Sequence, residues 1–158
     1  MRRRALLLGV TAAAVAISLA GCSEPTATED CRSDVRVGAL PEWAMTGFSD
    51  GAQVPRAVGH AGRIVAVPFS QPLVASQDPA PQNKVLLVPR EPLTGPTPLR
   101  IEARLSGTGD VVFRERPEGP GPGTLDLPQP GCWRLTLTWG DQTDTLDLDY
   151  VAPPPSSS

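Results

Sequence analysis

The clearest signal in the chain is a period of two. Trp133, Leu135, Leu137 and Trp139 alternate with Arg134, Thr136 and Thr138, so one face of the run is apolar and the other polar. Leu146, Leu148 and Tyr150 repeat the pattern against Asp147 and Asp149. Between them, Gly140-Asp141-Gln142 is a polar loop with a glycine, which predicts a β-hairpin joined by three residues. Its polar face sets Arg134 and the threonines opposite the aspartates, a small favourable cross-strand contribution. Strands are predicted over 35–40, 63–70, 84–89, 99–105, 110–115, 132–139 and 143–151. The run Val85 to Val88 is apolar on both faces, as a central strand covered on both sides would be. Pro68 has no N–H to donate, so its strand is expected to lie at an edge or bulge there.

Two stretches lack the alternation. Residues 116–131 read as a long crossover loop with a short strand over 124–127, and residues 41–60 read as irregular. The 19 prolines and 15 glycines punctuate short β-branched runs and leave little room for helix. No internal repeat of solenoid length is present. The pattern predicts an all-β sandwich or barrel, with Trp133 and Trp139 pointing into its core.

The amino terminus is built differently. Arg2, Arg3 and Arg4 precede an uncharged, mostly apolar run of 16 residues, 5–20. That is short of the roughly 20 residues a spanning helix needs. The run closes on Leu19-Ala20-Gly21-Cys22, which resembles the lipobox of bacterial lipoproteins. The resemblance implies a signal peptide over 1–21, cleavage between Gly21 and Cys22, and diacylglycerol on the Cys22 thiol. The protein would then sit on the extracytoplasmic face of the cell membrane, where two acyl chains hold better than one. An uncleaved signal anchor is the alternative. The arginine run also raises twin-arginine export, although the usual flanking residues are missing. Residues 22–31 read as a flexible polar tether, 32–151 as the folded domain, and 152–158 as a Pro/Ser tail.

Removing residues 1–21 leaves 137 residues, enough for one domain. It also leaves 11 basic against 17 acidic side chains, a balance of −6. That charge argues against nucleic acid as a partner and against electrostatic adhesion to anionic lipid. With Cys22 assigned to lipid, Cys31 and Cys132 remain as an even pair in an oxidising compartment, which predicts a disulfide. The loop-entropy model gives such a long closed loop about 4–5 kcal/mol. Two free buried thiols are the alternative, because sequence alone does not place the Cα atoms within bridging distance.

Several phrases resemble an uncharacterised family of actinobacterial lipoproteins. They are Pro41-Glu42-Trp43-Ala44 with Gly47-Phe48, the segment Asn83-Lys84-Val85-Leu86, and Pro130-Gly131-Cys132-Trp133-Arg134-Leu135-Thr136-Leu137 followed by Trp139-Gly140. The Gly-Cys-Trp strand is also similar to that of other small Gram-positive lipoproteins with immunoglobulin-like folds. Many relatives carry tryptophan where this chain has Leu87. The resemblance implies a single immunoglobulin-like antiparallel β-sandwich of about seven strands, and brings no activity with it.

Candidate chemistry is sparse. The only histidine, His60, lies between Gly59 and Gly62, glycines that would let a ligand approach closely; an exposed turn histidine explains the same residues. No Gly-x-Ser-x-Gly elbow surrounds a serine, and no paired His/Cys spacing suggests a metal. Asp141, Asp144, Asp147 and Asp149 read as a solvated sheet face in preference to a calcium loop. Trp43 reads as packed over one end of the sandwich, or as a stacking residue for a sugar or partner. The expectation is a non-catalytic envelope interaction module with a protein partner and no cofactor. A sugar- or peptidoglycan-binding lipoprotein using Trp43 and His60 is the alternative, and a carboxylate-dependent envelope hydrolase stands behind both.

Overall fold

Alternating strands bury their apolar faces by pairing into two sheets that pack against each other. The computed structural model describes residues 31–76 and 83–155. Residues 1–30 and 156–158, which include Gly21, Cys22 and most of the tether, lie outside the described residues. Ten strands run in the order β1 (Arg36–Ala39), β2 (Gln53–Val58), β3 (Ile64–Pro68), β4 (Leu73–Val74), β5 (Lys84–Pro89), β6 (Leu99–Leu105), β7 (Val111–Arg116), β8 (Pro122–Thr124), β9 (Gly131–Trp139) and β10 (Gln142–Val151). One sheet has the order β1-β2-β3-β5-β8 and the other β4-β10-β9-β6-β7. With β3, β5 and β8 read as A, B and E, and β6, β9 and β10 as C, F and G, this is the immunoglobulin-like sandwich. The β1–β2 pair extends the first sheet, and β7 extends the second.

Between the sheets lies the main core. Its largest buried side chains include Trp133, Tyr150, Leu135, Leu137, Leu146, Ile64, Ile101 and Leu87. Trp133 donates its indole N–H to the Gln129 carbonyl at 3.0 Å, and the Tyr150 hydroxyl donates to the Leu125 carbonyl at 2.7 Å. A second, smaller core covers the outer face of the first sheet. There Val65 and Val67 of β3 meet Leu40 and Ala44, with Trp43, Met45, Phe48, Leu86 and Val88 around them. Both faces of β5 are therefore covered, as its sequence predicts.

Where the structure departs from expectation, the causes are local. The hairpin loop has two residues, because Gln142 already pairs with Trp139. Gly140 takes a φ of +54° at its first central position, the type II′ signature. Among the described residues there are ten strands where about seven were expected, and β4 pairs parallel with β10. Of the two unexpected strands, β2 and β4, the first lies inside the stretch read as irregular, since Pro55 and Arg56 break its alternation. The strand expected over 124–127 lies at Pro122–Thr124, and Leu125 and Leu127 enter the core beyond it. Pro68 belongs to an interior strand without costing a bond. The Phe69 N–H bonds to Lys84, so alternation turns the Pro68 nitrogen towards β2, whose pairing ends at Ala57–Ala66.

Candidate functional site

Part of the outer face of the second sheet is covered by the chain's own amino-terminal strap. Cys31 is bonded to Cys132 across a sequence separation of 101, with the Cα atoms 5.8 Å apart. Three residues on, the Asp34 N–H donates to the Asp147 carbonyl at 2.8 Å, and the Asp147 N–H donates back to Asp34 Oδ2 at 2.7 Å. Beneath the strap, Arg134 Nε and Nη2 hold the two Asp147 carboxylate oxygens at 2.9 and 2.8 Å. Asp147 is thus 3 % exposed, and Asp144 is 2 % exposed. The expectation of a solvated acidic face fails at both positions. Asp147 is covered by the strap and neutralised by its cross-strand arginine, while Asp144 has inward parity.

Asp144 fills the β2–β3 turn. Its carboxylate accepts the N–H groups of Ala61 (2.8 Å), Arg63 (2.7 Å), Ile64 (3.2 Å) and Thr145 (2.8 Å). A methyl group at Gly59 would overlap that carboxylate. The close approach that this glycine permits is made by Asp144 of the same chain. His60 stands on the turn, donating its N–H to the Thr145 carbonyl at 2.8 Å. Its ring bridges Asp34 (Nε2 to Oδ2, 2.9 Å) and the Thr145 hydroxyl (Nδ1 to Oγ1, 3.2 Å).

Thr145, His60 and Asp34 therefore form a hydroxyl–imidazole–carboxylate line, the element order of a nucleophilic triad. Such a line needs donors aimed at a developing oxyanion. The amides beside it, those of Ala61, Arg63 and Thr145, are already committed to Asp144. Asp34, His60 and Asp147 also bring potential ligand atoms within 4.8 Å of one another. A cation there would have to displace the bidentate Arg134 and the imidazole from their carboxylates. In the second such group, Cys31, Cys132 and Asp147, the sulfurs are spent in the disulfide. The cluster works as a clasp between the strap, the β2–β3 turn and β10.

Beyond the strap the same sheet face is open. Cross-strand rows run Thr136–Glu102–Phe113 and Thr138–Arg100–Glu115 over β9, β6 and β7. They line a surface groove of about 670 Å³. Phe113 projects beside it, 70 % exposed. The Glu102 carboxylate accepts from Arg104 at 2.9 Å. The neighbouring Arg114 and Arg116 turn the other way and donate to the carbonyls of Asp126, Gly121 and Thr124, bridging β7 to the β8 region. A second cleft of about 370 Å³ lies at the hairpin end, between Arg63, Arg90, Glu91 and Gln142.

Trp43 and His60 are not brought together. Trp43 packs against the small core on the first sheet, while His60 contacts the strap on the second. Asn83, part of the Asn-Lys phrase, is a buried clamp. Its side-chain amide exchanges two bonds with the backbone of Val74 and donates a third to Asp126. The groove residues escaped sequence reasoning because every alternating strand has a polar face; an aromatic at polar parity, Phe113, was the available signal. Comparison with protein-family models, curated proteins and solved structures returns no match.

Proposed function

We propose that this protein is a membrane-tethered, extracytoplasmic binding module without catalytic activity, and that it holds an envelope component on the open face of its second sheet. Phe113 carries the reading. A large apolar ring stands in solvent beside charged and hydroxyl groups, on a face where a polar side chain would suffice. The lipobox-like Leu19–Cys22 and its resemblance to actinobacterial lipoproteins support the location. The commitment of His60, Asp34 and the surrounding amides to internal bonds supports a role without catalysis. Among the described residues, the large exposed apolar side chains are Val37, Phe69, Phe113 and Val151, which belong to β1, the β3–β4 connection, β7 and β10. Such single residues suit a polar ligand better than the contiguous apolar patch that marks many protein interfaces.

The test is site-specific photocrosslinking in the native membrane. A photoreactive residue at position 113 or 136 should capture envelope material, while one at Gln53, on the first sheet, should not. Equal labelling at Gln53, or none at 113 and 136, would refute the assignment of this face.

A further inference from the structure

We propose that the groove over β9, β6 and β7 binds an uncharged glycan chain. The proposal rests on this face being the contact surface, and it follows from how the groove's own polar groups are left. Arg100 and Glu115 are direct cross-strand partners of opposite charge. Neither side chain makes an ion pair or hydrogen bond among the described residues, and the Thr136 hydroxyl is equally unused. A guanidinium only donates, a carboxylate only accepts, and a hydroxyl does both. The groove therefore presents donors and acceptors side by side, with no partner among the described residues to satisfy them.

Charge then selects among ligands. Arg100 faces Glu115, and Glu102 is paired with Arg104 at the groove's edge, so the two arginines and two glutamates on this face balance. An anionic ligand drawn to the arginines would be pressed against the glutamates, and a cationic one would meet the reverse. Like charges in contact cost several kcal/mol. An apolar ligand would strip water from all four charges without replacing the lost hydrogen bonds. A polyhydroxylated, uncharged ligand avoids each penalty, because every hydroxyl can donate to a carboxylate and accept from a guanidinium. Phe113 supplies the remaining element, an exposed apolar ring face against which the C–H face of a pyranose can lie. At about 670 Å³ the groove falls in the size range of ligand sites, roughly 300–1,000 Å³. It is a surface cleft along the strands and not an enclosed cavity, which suits a chain over a single ring.

The mature protein should be titrated by calorimetry with chitotetraose, cellotetraose, mannotetraose and protease-digested envelope polysaccharide, with tetragalacturonate as the anionic control. At least one uncharged glycan should bind, with an affinity unchanged as sodium chloride rises from roughly 0.05 to 0.5 M. Phe113→Ala and Arg100→Gln, both at exposed positions, should each weaken it by about tenfold or more. Three results would overturn the proposal: no binding of any uncharged glycan, binding indifferent to Phe113→Ala, or salt-sensitive binding of tetragalacturonate alone. Capture of a protein at position 113 together with no glycan binding would leave the contact face standing and remove the glycan.

Discussion

At the scale of single residues, Asp144 carries the largest concentrated burden. One buried carboxylate satisfies four backbone N–H groups, two of them in the β2–β3 turn and one at the start of β3. Hydrogen bonds to a charged group contribute about 1.5–3 kcal/mol each, and water can replace some of these at the turn. Asp144→Ala should therefore cost about 3 kcal/mol or more, read as a lower urea midpoint at unchanged slope; Asp144→Asn should cost less. Tyr150 gives a prediction in pH. Burial first, then the Asp126 carboxylate, raises its phenol far above the usual value of about 10. Below about pH 10 the phenol is neutral in both folded and unfolded chains, and its contribution is fully present. Above that, only the unfolded chain ionises, so stability falls by up to about 1.4 kcal/mol per pH unit. As the chain has a single tyrosine, the phenolate band should appear together with loss of near-ultraviolet dichroism. A phenolate band growing in the folded protein would contradict the burial.

The hairpin and the strap are the informative elements. The β9–β10 hairpin was legible because alternation, polar loop and cross-strand charge all agree within 21 residues, and the register confirms Arg134 opposite Asp147. Strands β2 and β4 were not legible, and β8 was legible only in its approximate position. β4 has only two residues, β8 has three, and β2 carries a proline, so none repeats a period long enough to read. They are held as strands by their neighbours, as when Asn83 grips the backbone of Val74. The Cys31–Cys132 bond ties the strap down three residues before Asp34 meets β10. Replacing both cysteines by serine should lower stability by up to about 4–5 kcal/mol on the loop-entropy model. It should also speed hydrogen exchange at the Asp147 amide, whose acceptor is on the strap. Unchanged exchange there would show that the strap docks without the bond.

For the whole molecule, the proposed anchor and the sheet face belong to one geometry. Cys132 and Arg134 share the parity of Thr136 and Thr138, so the disulfide pins the strap on the same sheet face that carries the groove. Eight residues lie between Cys22 and Cys31, at most about 30 Å of extended chain. A lipid on Cys22 would hold the groove near the membrane. Cys22→Ser should release the protein from membranes or leave it unprocessed, as fractionation and intact mass would report; unchanged processing and attachment would refute the anchor. The sequence by itself determined the all-β architecture and the inward set of Trp133, Leu135, Leu137, Leu146 and Leu148. Alternation is a local property, written into neighbouring side chains, and burial has only to act on it. Tertiary structure alone decided what the polar residues do. Asp144 meets the turn across 81 residues, and Asp34 meets Asp147 across 113. No local period encodes such encounters. They separate an acidic run into a turn plug, a buried ion pair and a solvated remainder, and they leave one face of the second sheet open beside the strap.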